Sequence, residues 1–232
     1  MSRYGNRFRV IAPDQRGHGL SDKPVARYAG EDFATDSYEL LKALGYGPAV
    51  VAGHSIGGRN AAYLAAMYPE AVRALIILDA TADGPQALSD LPPEKVSPAD
   101  AFTKDWPAPY ASYQEAADDL RGRFPRETNV RYFMESLFEA EAGYDFLFSR
   151  QAMSAIDVYY QGWRHILKQI KCPVLLVRAE SSWYLSKEEA MNMRKTLKDC
   201  AYFEVSNSDH MVYADNEEGF YPGFEEFVAK FA

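Results

Sequence analysis

Five residues, Gly53-His54-Ser55-Ile56-Gly57, hold the chain's most reactive arrangement. The apolar run Ala49–Ala52 precedes them, and the small-residue, helix-forming run Gly58–Met67 follows. Strand, sharp turn and helix with G-x-S-x-G at the turn is the pattern that lifts a serine hydroxyl into the open. The serine backbone there is strained, and the residues two before and two after it are expected to crowd each other. The Ile56 amide, at the head of the helix, is positioned to face a developing oxyanion. The chemistry implied is nucleophilic attack by Ser55 on a carbonyl carbon.

A serine nucleophile needs a base, and the chain has four histidines. His210 has the appropriate setting, a loop after the terminal strand, following Ser208-Asp209. His54 neighbours Ser55 in sequence, but adjacent side chains on a strand point to opposite faces, so it is expected to pack. His18 is expected to hold its own loop by hydrogen bonding. His165, on a helix beside Trp163, reads as a surface or packing residue.

The elements that position these groups alternate. A short strand is expected over Phe8–Pro13, leading into the glycine-rich loop Asp14-Gln15-Arg16-Gly17-His18-Gly19-Leu20-Ser21-Asp22. A helix follows, roughly Asp32 to Leu44, with Gly45 and Gly47 ending it. After the elbow come the buried strand Ala74–Leu78, the strand Pro173–Arg178, a helix opened by Ser186-Lys187-Glu188-Glu189 as a capping box, the strand Tyr202–Val205 and a closing helix near Gly219–Phe231. Strands alternating with helices predict an α/β fold with a mostly parallel sheet. Between Pro85 and Lys171 the texture changes. Prolines crowd its start, and helices are expected around Ser112–Arg123, Asn129–Glu141 and Ser149–Gln169, rich in Tyr, Phe and Trp. The expected division is therefore a core of residues 1–84 and 172–232 with a helical cap at 85–171.

A chain of 232 residues is long enough to bury a substantial core. With 25 basic against 33 acidic residues the net charge is −8 and no basic block occurs, which argues against nucleic acid as a partner. Cys172 and Cys200 make neither a disulfide framework nor a metal-ligand cluster and read as small apolar residues. No apolar run approaches membrane-spanning length, and no signal-peptide core is present at the N-terminus. A cytoplasmic enzyme with a small-molecule substrate, no metal and no organic cofactor is the expectation.

The chain resembles the α/β-hydrolases. The run Asp14–Ser21 is similar to the family's D-x-R-G-x-G-x-S loop, Gly53–Gly58 matches its nucleophile elbow, and Asp209-His210 resembles the loop bearing its histidine. The resemblance implies an α/β-hydrolase fold with a cap insertion and a Ser–acid–His triad. Many members carry the acid after the seventh strand, where this chain has Ala179-Glu180-Ser181-Ser182-Trp183, with Ser182 at the aspartate's position. The family's other position follows the sixth strand, and Asp79 stands there, giving the order Ser55, Asp79, His210. Glu180 is the second candidate, weighed against a loop carboxylate engaged in hydrogen bonding. Family members also begin with three strands and an HG-containing loop that supplies a second oxyanion donor. This chain starts almost on the fourth strand, so an N-terminally truncated fold is expected.

The resemblance implies a serine hydrolase cleaving an ester, lactone or amide. Two alternatives remain: a carbon–carbon bond hydrolase with the same triad, and a catalytically weak ligand-binding relative. Candidate substrate-contacting residues are Arg123 and Arg131, with Arg126 beside them, for a carboxylate, and Trp163 and Met211 for a less polar wall. Isolated helix arginines are more often surface charges.

Overall fold

The computed structural model describes residues 3–231. In chain order its helices and strands are α1 (Gly30–Ala43), β1 (Ala49–His54), α2 (Ile56–Met67), β2 (Val72–Leu78), α3 (Tyr113–Arg123), α4 (Glu127–Met134), β3 (Leu137–Ala140), β4 (Gly143–Phe146), α5 (Arg150–Val158), α6 (Arg164–Leu167), β5 (Val174–Ala179), α7 (Lys187–Thr196), β6 (Cys200–Val205), α8 (Val212–Asp215) and α9 (Glu217–Val228). They divide into two compact units. Among the described residues the first comprises 3–11, 29–88 and 161–231; the second comprises 12–28 and 89–160. The glycine-rich loop thus groups with the inserted segment instead of with the core assigned to it from sequence.

The first unit is built on a four-stranded parallel sheet of order β1-β2-β5-β6. Both central strands are mainly apolar because both faces are covered, with Arg73 of β2 exposed and Arg178 of β5 buried. Leu75, Ile77, Val174 and Leu176 pack on one face with Leu64 of α2 and Ala190 and Met193 of α7. Ala74, Ile76, Leu78, Leu175 and Val177 pack on the other with Val212 of α8 and Phe220, Phe227 and Val228 of α9. Burying a side chain of this size stabilises the fold by about 2 kcal/mol. Cys200 opens β6, and burial pushes its thiol up to about 11; Cys172 is raised for the same reason.

The strand expected at Phe8–Pro13 does not form. Among the described residues this segment pairs with no strand, and β1 is left as the edge of the sheet. Instead, Phe8, Val10 and Ile11 line an open cleft of 380 Å³ together with Pro48 and with Ala49, Val50 and Ala52 of β1. Val10 and Ile11 are exposed there.

The second unit has its own core, in which Trp106, Tyr110, Leu120, Val130, Met134 and Phe146 are buried, with Phe124, Phe133 and Phe148 packed against them. Part of the helix expected to reach Glu141 is instead the antiparallel hairpin β3–β4. Gly143 takes a φ of 125°, and a side chain there would run into the backbone of Tyr110, which exchanges two backbone hydrogen bonds with Tyr144. The long helix expected over Ser149–Gln169 is two helices, α5 and α6, with α6 falling in the first unit. Backbone bonds from Gly162 to Pro85 (2.9 Å) and from Trp163 to Ala82 (2.9 Å) lie between them. Among the described residues no helix is long and apolar enough to cross a membrane.

Candidate active site

The candidate residues Ser55, Asp79 and His210 all belong to the first unit, near the carboxyl ends of the strands of its sheet. Ser55 follows β1, Asp79 follows β2, Ala179–Ser182 follow β5, and His210 lies beyond β6. Backbone bonds step from each strand end to the next: Ser55 N–H to Leu78 O at 2.9 Å, Asp79 N–H to Val177 O at 2.8 Å, and Glu180 N–H to Val205 O at 2.9 Å. Open parallel sheets bind ligands at this edge.

Strain concentrates at the same edge. Among the described residues the non-glycine positions with positive φ are Ser55 (54°), Asp79 (44°) and Asn207 (52°), and each closely follows a strand of the sheet. Such conformations cost roughly 1–3 kcal/mol each and gather at functional sites. At the elbow, a side chain on Gly53 would strike the carbonyl of Gly57, and one on Gly58 would come within 2.7 Å of the Ala80 methyl. A side chain on Gly57 would meet nothing. The crowding expected of both flanking glycines therefore belongs to Gly53 alone. Ser55 is the N-cap of α2, so the Ile56 amide heads the helix, where amides have no intrahelical acceptor.

His210 donates from Nδ1 to Asp79 Oδ2 at 2.8 Å. Asp79 is fully buried. A carboxylate only accepts, so the proton sits on Nδ1 and Nε2 is left as the acceptor, as required of a base. The same carboxylate receives the Ala179 amide on Oδ1 at 2.9 Å and the Ser182 hydroxyl on Oδ2 at 2.7 Å. Ser182, at the position where an aspartate was sought, thus joins Asp79 instead of replacing it. Glu180 is turned away, with Oε2 accepting the Asn207 amide at 2.8 Å.

The backbone of His210 is held on both sides. Its amide donates to Asp209 Oδ1 at 2.7 Å, and its carbonyl accepts His54 Nε2–H at 2.7 Å. Only the protonated nitrogen of His54 can donate to a carbonyl, so His54 is the Nε2–H tautomer. Burial, and then the neighbouring His210, lower its pKa to about 4, against the opposing effect of the carbonyl bond. His54 is therefore a neutral packed residue at ordinary pH, as its strand position suggested. Around the His210 ring stand Trp183 at 5.0 Å, Tyr184 at 5.2 Å and His54 at 4.5 Å between centroids. Trp183 is largely exposed.

The candidate substrate contacts fare differently. Arg123 grips Asp119 with Nε (2.7 Å) and Nη2 (2.9 Å) and also donates to the Asp105 carbonyl. Arg131 is a surface residue facing Glu135 at 3.5 Å. Trp163 is completely buried in the core of the first unit, so it forms no substrate wall. Met211 is buried at the start of α8, its sulfur 4.0 Å from the Tyr213 hydroxyl. His18 bonds the Arg16 carbonyl through Nδ1 at 3.1 Å, the loop-holding role expected of it, and burial lowers its pKa. His165 contacts the Gly162 carbonyl through Nδ1 at 3.2 Å.

Sequence reasoning missed the bond from Ser182 to Asp79, and with it Arg178, which ties down the loop. Buried in β5, Arg178 donates from Nε to Leu185 O (2.8 Å), from Nη1 to Glu180 O (3.2 Å) and to Glu204 Oε2 (2.7 Å). The available signal was adjacency: β2 and β5 are neighbours with Leu78 opposite Val177, so residues just beyond them must meet.

The chain belongs to the α/β-hydrolase fold family, whose model matches residues 3–217, and it is a hydrolase of that family acting on small molecules. Among its relatives is 2-(acetamidomethylene)succinate hydrolase of Mesorhizobium japonicum, 33% identical over 91% of this chain and 75% of the relative. Epoxide hydrolase 1 of Caenorhabditis elegans is 25% identical over the whole chain, which spans 61% of that protein. The crystal structure of E-2-(acetamidomethylene)succinate hydrolase superposes with a TM-score of 0.82 at 28% identity, covering 98% of this chain and 84% of that one.

Proposed function

We propose that the chain is a serine hydrolase that cleaves a carboxylic ester, lactone or amide of a small molecule through an acyl-enzyme on Ser55. The observation that carries this reading is the His210–Asp79 pair at 2.8 Å, set at the same sheet edge as a serine on a strained elbow. With Nδ1 committed to Asp79, His210 Nε2 takes the Ser55 proton as Oγ attacks the carbonyl carbon. The Ile56 amide receives the charge that develops on the oxygen. The imidazolium, stabilised by Asp79, passes its proton to the leaving group. Water then repeats the cycle on the acyl-enzyme and frees Ser55.

On substrate charge, the name of the Mesorhizobium relative specifies a succinate, whose recognition calls for cations. Arg123 is engaged by Asp119, and Arg131 lies on the surface beside Glu135. These two candidates give no support to a dicarboxylate, and an uncharged or singly charged ester or amide is the better reading.

The test is turnover of short-chain p-nitrophenyl esters together with labelling by a fluorophosphonate. The wild type is expected to hydrolyse and to carry the label on Ser55. Equal turnover and labelling by Ser55→Ala sinks the proposal.

A further inference from the structure

We propose that Ser182 is a positioning residue for the Asp79–His210 pair: its hydroxyl fixes which lone pair of Asp79 Oδ2 faces His210 and how much charge that oxygen presents. This rests on the serine-hydrolase reading above and extends it to a residue outside the triad.

The hydroxyl has no freedom left. A serine hydroxyl offers one donor and two acceptor positions. Ser182 Oγ accepts the Leu185 amide at 2.8 Å and the Tyr184 amide at 3.2 Å, so its single proton points at Asp79 Oδ2, 2.7 Å away. Both amides belong to the loop that Arg178 pins through the Leu185 and Glu180 carbonyls, so the hydroxyl is aimed by backbone and not by a free rotamer. On the carboxylate, Oδ1 is held by the Ala179 amide and Oδ2 is shared between Ser182 and His210. Two donors on one oxygen compete for the same electron density. The Ser182 proton therefore weakens the pull of Asp79 on the His210 Nδ1 proton while preventing rotation of the carboxylate. Bonds of this kind contribute most where burial limits competition from water, and Asp79 is fully buried.

Removing the hydroxyl has a sign that a purely structural role would not share. With Ser182→Ala, Oδ2 presents more charge to His210, and the imidazolium is held more strongly. The acidic limb of the kcat/KM profile then moves to higher pH. Loss of the rotational stop lowers kcat about tenfold, the equivalent of one buried hydrogen bond, with little change in KM. The other groups facing His210 are unchanged: His54 from β1, Trp183 and Tyr184 from the loop after β5, Asp209 beside it in sequence, and Asp215 of α8, which accepts the Asp209 amide.

The experiment compares wild type, Ser182→Ala and Ser182→Thr, using p-nitrophenyl acetate across the pH range and proton NMR of the His210 Nδ1–H resonance. The expected result is an upward shift of the acidic limb and a downfield move of the resonance in Ser182→Ala, both reversed in Ser182→Thr, which keeps the hydroxyl. If Ser182→Ala does not fold, Ser182→Cys, with its weaker donor, is read in the same way. A limb and resonance that stay in place, or move the other way, overturn the proposal. Should the wild type neither turn over the ester nor label at Ser55, the serine-hydrolase reading fails, and the resonance alone still decides the role of Ser182.

Discussion

Acidification acts on this fold through His54. The ring is half-buried against His210 at the end of β1, and its pKa falls from 6.5 to about 4. Between those values the unfolded chain takes up a proton that the folded chain refuses. The contribution of His54 to stability is therefore unchanged above 6.5, is lost as pH drops through that value, and levels off below about 4. Integrating the two titrations from about pH 8 to about pH 5 gives a loss of about 2 kcal/mol, a substantial fraction of a typical domain's margin. His18, also lowered by burial, adds to the same trend, so a paired comparison is needed to isolate His54. His54→Gln keeps an amide donor for the His210 carbonyl and removes the titrating group. Urea unfolding of both proteins at about pH 8 and about pH 5 provides the assay. The wild type should lose about 2 kcal/mol more than the variant over this interval. Parallel losses in the two proteins would show that His54 accepts its proton freely in the fold, and the neutral-tautomer argument for its bond to His210 would fall with it.

Asp79→Asn should lower ester turnover by about 10⁴-fold with the fold retained, because an amide donor facing Nδ1 favours the wrong tautomer of His210. Glu180→Gln should leave turnover essentially unchanged, since that carboxylate serves the Asn207 amide. The two flanking glycines of the elbow should respond in opposite ways in a thermal melt. Gly53→Ala forces a methyl onto the Gly57 backbone and should cost about 1–3 kcal/mol or prevent folding, whereas Gly57→Ala opens into free space on a helix and should be neutral or slightly stabilising.

What was legible in the sequence is what local patterns determine. The apolar runs Ala74–Leu78 and Val174–Val177 lie within the two central strands, as runs covered on both faces do. Ser186 caps α7 as expected, accepting the Glu189 amide at 3.1 Å, although the Glu189 carboxylate goes to Arg164 and not back to the cap. The failures share one cause, the pairing of residues distant in sequence. The hairpin at 137–146 is bound to Tyr110, Gly162 and Trp163 are bonded to the Ala82–Pro85 loop, and Phe8–Pro13 stays unpaired beside the edge strand β1. Aromatic residues such as Phe138 and Tyr159 suit a helix or a strand, so their spacing could not decide between them.

The site was legible in its parts and not in its wiring. Ser55 and Asp79 stand just past strands and His210 in the loop beyond the last one, positions that can be read from where apolar runs end. How they connect depends on strand order, which composition does not encode. Because β5 lies between β2 and β6, His210 must reach past the end of β5 to meet Asp79, and whatever follows β5 is placed against that bond. A carboxylate there would face Asp79 and repel it. A serine, which can accept two amides and donate one proton, fills the same space and joins the pair. The departure from the common family pattern at Ser182 is in this sense a consequence of the acid lying on β2: once Asp79 holds the imidazole, the neighbouring strand end needs a donor and not a second acceptor.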